Sequence, residues 1–537
     1  MRRLVTGVAV AAALVSTAQP VLAEPQAAPS GYTDQEIRWK PCFPPGQPLP
    51  PELPPGSERL ECGTLTAPQD WKNPGQGKDI TISVTRLSPE SGPTGRALFT
   101  NPGGPGGAGM AMPAAMLGWN RPKLMDNFDV YGIDVRGTGR SSTVSCGPQA
   151  PNSPLDPRDR SAESIRAQLA AVEEFAAACQ EHSGELGRYV TTEQTVADLD
   201  LLRQVEGHEK VSWYGISGGT WLGAYYATYF PKTVDRFVLD SNTQFTGSWQ
   251  EVFGWQPMAF ERRWREDLRP WLAANDGSYH LGATPEAVQA TVDELRAKLK
   301  ANPIPPEVPG GPATDHNALD AMLLYSMYSK ATFPQLGQTM AALRDGATGA
   351  AARSLSQAAA RQLPMQQTPP AESMAGTLYS IRCNDTEFRG GPEFLERNSG
   401  VQGALFPFYG YHSIFQPCAY WNDRPDVQLR EPTGEGLPPV LMLQSENDPA
   451  TAVEGARIAH EQFAGSRLVT VADEGDHGLY GQGNACVDDL VESYLVDGVV
   501  PERDVTCRGL PLPGPQQAAV ARPSLFEALE DLADALG

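Results

Sequence analysis

A serine between glycines, directly after a β-rich run, is the feature of this sequence that most constrains its fold. The motif reads Gly215-Ile216-Ser217-Gly218-Gly219. A β-rich run at 211–214 precedes it and a helix-compatible run at 221–229 follows it. A sharp strand-to-helix turn needs small residues on both sides of the serine, and it projects the Ser217 hydroxyl from the C-terminal edge of a sheet. The pattern predicts a nucleophilic serine and acyl transfer to water. An ordinary glycine-rich turn is the alternative, because glycine supplies 53 of 537 residues.

Alternating β-like and helical segments predict a mostly parallel α/β sheet. Each β-like run ends in a glycine-rich or acidic loop, and 196–204 is a candidate helix between two such runs. This alternation is typical of parallel strands joined by crossovers. The predicted strands are 80–85, 96–100, 128–134, 211–214, 236–240, 439–444 and 467–471.

The chain is longer than one ordinary domain, which predicts a core with a large insertion. Helical periodicity replaces the strand signals from about 246 to 380, so we expect a mainly helical cap there. Near the C-terminus, Ser524-Leu525-Phe526-Glu527 is a capping box that opens an amphipathic helix. The predicted division is a signal peptide at 1–23, a leader or possible prosegment at 24–37, the first part of the α/β core at 38–245, the cap at 246–380, the second part of the core at 381–510 and a C-terminal tail with the amphipathic helix at 511–537.

The N-terminus has the form of a secretory signal. Arg2 and Arg3 give a positive start, 5–15 is apolar, and a small-residue cleavage site ends at Ala23. The apolar run is too short for a good membrane span, and no cysteine follows the cleavage site to accept a lipid. We therefore expect a secreted protein without a membrane anchor.

Eight cysteines in an exported chain predict disulfide bonds. Neighbour pairing is the simplest connectivity, although the sequence alone leaves others open. The seven histidines are scattered and form no H-E-x-x-H motif, so we expect neither a metal nor a cofactor. The neighbouring pairs are Cys42–Cys62, Cys146–Cys179, Cys383–Cys418 and Cys486–Cys507.

The net charge of −22 argues against nucleic acid and anionic membranes as partners. Such acidity is typical of a soluble exported protein, and a preference for positively charged substrates is the weaker interpretation. We expect a monomer whose partner is its substrate.

Two later loops supply an acid and a base for Ser217. The predicted strand 439–444 runs into a loop that carries Asp448, and the predicted strand 467–471 runs into a loop that carries His477. The C-terminal ends of parallel strands meet at one sheet edge, and the order Ser, acid, His is the order that this kind of site requires. We therefore predict a triad of Ser217, Asp448 and His477.

Other residues compete for both roles. Glu446 and Asp476 are alternative acids, but Asp476 is adjacent to His477, a spacing that sends two side chains apart. His412 and His460 are alternative bases, although neither follows a predicted strand.

Oxyanion donors are expected from backbone N–H groups next to the serine. Gly218 supplies one, and Gly103 or Gly104 supplies a second from a glycine-rich loop after the predicted strand 96–100. This 101–107 loop reads Asn101-Pro102-Gly103-Gly104-Pro105-Gly106-Gly107.

The same loop also matches a dinucleotide fingerprint through Gly104, Gly106 and Gly109. Its prolines, the export signal and the downstream triad argue against a dinucleotide site.

Together these motifs resemble the secreted tripeptidyl aminopeptidases of filamentous soil bacteria, which belong with the prolyl aminopeptidases among the α/β-hydrolases. The resemblance covers about 38–508 and implies an α/β-hydrolase core with an inserted helical cap, cleavage of an amide bond near a free peptide N-terminus, and a C-terminal cysteine pair at Cys486 and Cys507. The matching motifs are 101–107, Asp134-Val135-Arg136-Gly137-Thr138-Gly139, 215–220, Arg382-Cys383-Asn384-Asp385, 444–451 and Gly475-Asp476-His477-Gly478.

A free substrate ammonium needs a carboxylate, because an unpaired buried charge is costly. Asp385, Glu387 and Glu251 are the candidates by their position near the cap, with a solvated surface carboxylate as the alternative for each.

Two residues depart from the family pattern. Gly218 stands where relatives usually carry Tyr or Trp, which predicts a more open pocket. Arg382 stands where relatives can carry an acid, which predicts altered recognition of the substrate amine.

The expected substrate is a peptide or a small N-acyl or aminoacyl amide. The alternatives to a peptidase are a hydrolase that removes an N-acyl group from small aminoacyl compounds, such as acetylated antibiotics, and an inactive binding protein that keeps the fold.

Overall fold

The computed structural model describes residues 29–43, 46, 48–50, 53–147, 155–305, 313–346 and 371–516. The predicted signal peptide and the predicted C-terminal amphipathic helix lie outside these residues. Among them, no helix is both long enough and apolar enough to span a bilayer.

One mixed sheet of ten strands, in the order β1-β2-β3-β5-β4-β6-β7-β8-β9-β10, forms the centre of the fold. Strands β4 to β10 pair in parallel, and β1, β2 and β3 extend one side of the sheet in antiparallel fashion. The strands are β1 (Lys40–Pro41), β2 (Glu61–Pro68), β3 (Asp79–Leu87), β4 (Ala97–Asn101), β5 (Asp129–Asp134), β6 (Val211–Ile216), β7 (Val234–Asp240), β8 (Leu441–Ser445), β9 (Arg467–Ala472) and β10 (Val505–Arg508).

Helices cover the sheet and form the segment between β7 and β8. Short 3-10 turns lie at Ser57–Arg59, Pro231–Thr233, Lys330–Thr332, Gly410–Ile414 and Pro417–Tyr420, and π-helical turns lie at Trp264–Leu268 and Ser493–Asp497. The α-helices are α1 (Ser30–Thr33), α2 (Met112–Gly118), α3 (Pro122–Met125), α4 (Ala162–Gly187), α5 (Thr192–Val205), α6 (Gly218–Tyr229), α7 (Trp249–Gly254), α8 (Gln256–Arg263), α9 (Arg269–Ala274), α10 (Asp276–Tyr279), α11 (Pro285–Ala301), α12 (His316–Ser326), α13 (Phe333–Arg344), α14 (Ala371–Asp385), α15 (Pro392–Leu405), α16 (Val453–Gln462) and α17 (Ala485–Glu492).

The predicted parallel α/β sheet is confirmed, and every predicted strand lies within two residues of an observed one. Strands β1, β2 and β10 were not predicted from the sequence. Strand β2 buries few of its side chains and β10 buries only Cys507, so neither carries the apolar run that marks a central strand.

The sheet is buried on both faces, which explains the apolar character of its central strands. Neighbouring residues of β6 show this directly, since Trp213 belongs to the hydrophobic cluster on one face and Tyr214 to the cluster on the other. Side chains of a strand alternate between faces, so a strand covered on both sides must be apolar throughout.

A third cluster, separate from the sheet, forms the core of the cap and includes Trp264, Trp271 and Leu319. Between Asp240 and Leu441 the described residues contain helices and no strand of the sheet. The expected boundary at 380 falls inside helix α14, so we propose that the inserted segment extends to the start of β8.

The last described residues, 509–516, cross from the sheet to the cap. The indole Nε1 of Trp271 donates to the carbonyl oxygen of Pro513 at 2.7 Å. The Tyr279 hydroxyl donates to the carbonyl oxygen of Pro515 at 2.9 Å. Because β10 ends immediately before this segment, the crossing ties the cap to the edge of the sheet.

Four disulfide bonds join the eight cysteines, each between neighbours along the chain. They close loops of 20 to 35 residues, for which the chain-entropy model gives about 3–4 kcal/mol each. The bonds are Cys42–Cys62, Cys146–Cys179, Cys383–Cys418 and Cys486–Cys507.

Arg136, just after β5, joins three parts of the core. Its side chain is fully buried, and Nε and Nη2 donate to the two carboxylate oxygens of Asp198 at 2.7 Å each. The remaining donors reach the carbonyl oxygens of Gln69, Tyr189 and Pro68. This arginine therefore holds the ends of β2 and β5 against α5.

We expect Arg136→Met to lower the free energy of unfolding by about 3–5 kcal/mol, because it leaves the buried Asp198 carboxylate without its cation. Urea unfolding measures the loss. The matched control Arg140→Met removes an exposed arginine and should change stability by less than about 0.5 kcal/mol. Equal effects of the two variants would contradict the assigned role.

Candidate active site

Ser217 occupies the turn between strand β6 and helix α6. Its backbone has φ 57° and ψ −122°, a region that residues with side chains rarely adopt. The Ser217 N–H donates to the carbonyl oxygen of Asp240 at 3.0 Å, and the Ser217 carbonyl accepts from Thr220. Such a conformation costs of order 1–3 kcal/mol and persists only when its surroundings enforce it. The structure therefore contains the strained strand-to-helix turn that the motif predicts.

The 101–107 loop lies directly against this turn. A Cβ atom at Gly103, where φ is +95°, would lie 2.3 Å from the carbonyl oxygen of Ile216 and 2.9 Å from the Cβ of Ser217. The Asn101 side-chain oxygen accepts from the Gly103 N–H at 2.9 Å and shapes the loop from within. Only glycine fits at 103, because any side chain would push the loop away from the serine.

Gly218 meets the same loop from the other side. A Cβ atom at Gly218 would lie 3.0 Å from the nitrogen of Pro105 and 3.1 Å from backbone atoms of Gly104. A side chain at 218 would therefore press on the 101–107 loop, and the expectation that Gly218 opens the pocket stays a prediction. This glycine lets the 101–107 loop approach the serine closely.

The position of this contact follows from the sheet order. The chain passes from β4 to β5 on one side and later enters β6 on the other side of β4. In open α/β sheets, ligands bind in the crevice where the strand order reverses in this way. The 101–107 loop follows β4 and Ser217 follows β6, so both lie at that crevice.

Asp448 and His477 form a buried pair at the same edge of the sheet. His477 Nδ1 lies 2.9 Å from Oδ2 and 3.0 Å from Oδ1 of Asp448. The carboxylate also accepts from the N–H groups of Ala450 and Thr451 and from the Thr451 hydroxyl. Because a carboxylate only accepts, Nδ1 carries the proton in this arrangement, which leaves Nε2 as the basic nitrogen.

The core fixes the loop that carries His477 through two residues at the end of β7. The Asp240 carboxylate accepts from the N–H groups of Leu479 and Tyr480, and the Ser241 hydroxyl accepts from the Gly478 N–H at 2.8 Å. Burial raises the pKa of Asp240. Neither residue was predicted from the sequence. The signal that could have indicated Asp240 was an acid at the end of a buried strand.

The cap holds the same loop from the opposite side. Arg263 at the end of α8 is fully buried and donates to Asp476 at 2.7 Å and to Asp267 at 2.6 Å. The N–H of Lys330 also donates to Asp476, and the Lys330 ammonium pairs with Glu474. Burial raises the pKa of Asp476 to about 6. The residue before His477 is therefore clamped to the cap by charge.

Tyr328 completes the surroundings of the histidine. Its carbonyl oxygen accepts from the His477 N–H at 2.9 Å, and its ring meets the imidazole edge to face with centroids 5.3 Å apart. The cap thus touches both the backbone and the ring of His477.

The competing acids and histidines have other contact partners. Glu446 accepts from the N–H of Asp473, and Asp476 is engaged by Arg263. His460 lies between Ser466 and Asp504, and His412 stacks on Tyr409, where burial lowers the pKa of His412 to about 4. Of the four, none forms the contact that Asp448 makes with His477.

The three residues proposed to bind a substrate amine have other surroundings. Asp385 is buried and accepts from the Thr192 N–H, the Thr192 hydroxyl and the Trp249 indole, and burial raises its pKa to about 6. Glu251 is exposed and closes the capping box of α7 with Ser248. Glu387 is exposed. Amine binding by these residues stays a prediction without support from their contacts.

The glycines of the dinucleotide fingerprint pack against protein. A Cβ atom at Gly106 would lie 2.9 Å from Thr377 of α14, and one at Gly109 would lie 2.1 Å from the carbonyl oxygen of Ile133. These glycines let the loop contact α14 and β5, and the first α-helix after them starts only at Met112.

The contacts of Gly103 and Gly218 predict graded effects on the reactivity of Ser217. Gly103→Ala should slow labelling by a fluorophosphonate at least about 100-fold, since it separates the loop from the serine. Gly218→Ala needs a shift of only a few tenths of an ångström and should slow labelling about 10-fold. Gly118→Ala, on helix α2, where a Cβ would make only ordinary contacts with Pro54, is the control. Similar rates for all three variants would refute this account.

The clamp on Asp476 predicts a pH-dependent defect. Arg263→Gln removes a cation that lowers the pKa of Asp476, so this pKa should rise further in the variant. At pH 8 the arginine no longer offsets the ionisation of Asp476, and Ser217 labelling should be about 10-fold slower, because small displacements of a catalytic loop are costly. The ratio of variant to wild-type rate should rise toward pH 5.5, since protonated Asp476 needs no cation. Arg262→Gln, whose arginine pairs with Glu454 instead, is the matched control. A pH-independent ratio would contradict the clamp.

Comparison with known proteins identifies the family. A family model described as alpha/beta hydrolase fold matches residues 97–343, and one described as TAP-like protein matches residues 406–507. The tripeptidyl aminopeptidase of Streptomyces lividans is 36% identical over 471 residues, covering 85% of this chain and 85% of the relative. That of Streptomyces coelicolor is 36% identical over 472 residues, covering 85% and 84%. The serine protease Hip1 of Mycobacterium bovis is 26% identical over 500 residues, covering 88% and 91%. This chain therefore belongs to the tripeptidyl aminopeptidase family of α/β-hydrolases and is a serine hydrolase.

Proposed function

We propose that this protein is a serine exopeptidase that hydrolyses amide bonds near a free peptide N-terminus, as a tripeptidyl aminopeptidase does. The observation that carries the proposal is the buried pair of His477 and Asp448, 2.9 Å apart, on the sheet edge that also carries Ser217. The identity with two tripeptidyl aminopeptidases supports the substrate class.

In the proposed mechanism, His477 acts first as a base. Its Nε2 takes the Ser217 proton as the hydroxyl oxygen attacks the amide carbonyl, and Asp448 holds the Nδ1 proton and stabilises the imidazolium that forms. The imidazolium then protonates the leaving amine, which gives an acyl-enzyme on Ser217. Water, deprotonated by His477, releases the acyl group by the reverse route.

Backbone N–H groups stabilise the oxyanion in this proposal. The donors are the N–H of Gly218 and one N–H from Gly103 or Gly104. The close packing of the 101–107 loop on the turn at Ser217 supports this assignment. Donors of this kind contribute about 100- to 1,000-fold to the rate because they are oriented before the charge develops.

We also propose that the protein is exported and acts as a monomer on peptides outside the cell. The signal-like N-terminus and the four disulfide bonds support export, since disulfides persist in oxidising compartments.

Labelling and kinetics test the triad. The wild type should be labelled by a fluorophosphonate at Ser217 at neutral pH, and Ser217→Ala should lose both labelling and hydrolysis. Asp448→Asn should lower kcat about 10,000-fold, because the histidine then favours the wrong tautomer. Glu446→Gln, on the same loop, is the control with near-normal kcat. Labelling that survives in Ser217→Ala would overturn the assignment.

A substrate panel tests the reaction. We expect release of p-nitroaniline from tripeptidyl amides with a free N-terminus, and little or none from single aminoacyl amides or from N-acetylated peptides. Efficient cleavage of N-acetyl amides alone would replace the peptidase proposal with an N-acyl amide hydrolase.

A further inference from the structure

Arg382 on helix α14 is a buried cation without a carboxylate partner. The residue is 7% exposed, and no aspartate or glutamate of the described chain forms an ion pair with it. Nη2 donates to the side-chain oxygen of Gln416 at 3.1 Å, while Nε is buried without an acceptor. Burial of this kind lowers the pKa of Arg382. A charge held away from water in this way is costly unless something pairs with it.

The other buried arginines of the described chain are all paired. Arg136 binds Asp198, and Arg263 binds Asp267 and Asp476. Arg296 binds Asp156 and Asp320. In each of these three cases, a carboxylate neutralises an arginine that holds parts of the fold together. Arg382 is the exception.

Aromatic rings hold the guanidinium by its faces. The central carbon of Arg382 lies 3.6 Å from the centroid of the Phe253 ring and 5.3 Å from that of Tyr379. Cation–π contacts of this type orient a guanidinium and leave its N–H edge for a planar acceptor. The rings supply position, but they do not replace an anion.

Helix α14 contacts the 101–107 loop about one to two turns before Arg382. Thr377 and the carbonyl oxygen of Met374 lie against Gly106 of the 101–107 loop. The loop that packs on Ser217 is therefore in direct contact with the helix that carries Arg382.

A row of rings leads from the catalytic histidine into the cap. Tyr328 contacts His477, Phe260 contacts Tyr328 at 5.9 Å, and Tyr409 contacts Phe260 at 5.0 Å between centroids. Arg382 itself lies against Phe253 and Tyr379, which are not members of this row.

We propose that Arg382 is a specificity-determining residue that binds a carboxylate on the acyl part of the amide substrate. The inference rests on the proposed function, because only an amide hydrolase has an acyl part of a substrate to recognise. A guanidinium binds a carboxylate through two parallel N–H···O bonds, and a site built for such bonds rejects the uncharged isostere. The preferred substrates are peptides with an acidic side chain among the residues that precede the cleaved bond.

Two substrate sets test the proposal. One is a series of tripeptidyl p-nitroanilides with Glu, Gln or Lys at each of the three positions in turn and Ala elsewhere. The other compares glutaryl p-nitroanilide with its carboxamide analogue. Neither of these two compounds contains a peptide. We expect the wild type to favour Glu over Gln, at one position, by about 10- to 100-fold in kcat/KM.

The variants assign that preference to Arg382. Arg382→Gln should reduce the acid-to-amide ratio to near one, Arg382→Lys should retain part of it, and Arg389→Gln, an exposed arginine on the following loop, should keep it whole. Fluorophosphonate titration of Ser217 counts the active sites in each preparation, so a loss of folded protein cannot imitate a change in ratio. If Arg382→Gln does not fold, the ratio in Arg382→Lys decides.

A wild type without acid preference, or a preference that Arg382→Gln or Arg382→Lys retains in full, would overturn the proposal. Failure of the proposed function looks different: no tripeptidyl amide would be cleaved although Ser217 is labelled, and the glutaryl pair would still report the acid-to-amide ratio.

Discussion

The contact between the 101–107 loop and the turn at Ser217 is the constraint on which the rest of the site depends. The serine holds a backbone conformation that side-chain-bearing residues avoid, and Gly103 and Gly218 let a second loop approach within van der Waals distance of it. This approach is possible because β4 and β6 are adjacent while the chain between them makes β5 on the far side. The strand order of the sheet thus maintains the strained backbone at Ser217, and it does so through glycines, which have no side chain.

The histidine is held differently, by groups from two separate cores. Asp240 and Ser241 fix the loop after His477 from the sheet, and Arg263 and Lys330 fix the residues before it from the cap. The cap therefore contributes to the geometry of the base. Its third hydrophobic cluster and the C-terminal crossing at 509–516 give that contribution a rigid support.

The sequence predicted what depends on local pattern and missed what depends on distant partners. Central strands are buried on both faces, so their apolar runs were visible, whereas β2, which is second from the edge of the sheet and buries few side chains, had no such signal. Asp448 and His477 could be assigned because parallel strands deliver their following loops to one edge. Glu251 shows the opposite case: its spacing from Ser248 is that of a capping box, and this local role accounts for its carboxylate without a substrate amine.

The number of acidic residues in the sequence does not show what each buried carboxylate does. The position of each carboxylate in the structure does. Asp134 and Asp240 are held by backbone N–H groups, and each shapes the loop that supplies them. Gly139 follows from this, since a Cβ there would lie 2.1 Å from the Asp134 carboxylate. Asp198 and Asp476 instead meet buried arginines and join elements distant in sequence. The chain has a net charge of −22 and thus an excess of carboxylates, so a shortage of acidic residues does not explain why Arg382 has no carboxylate partner among the described residues.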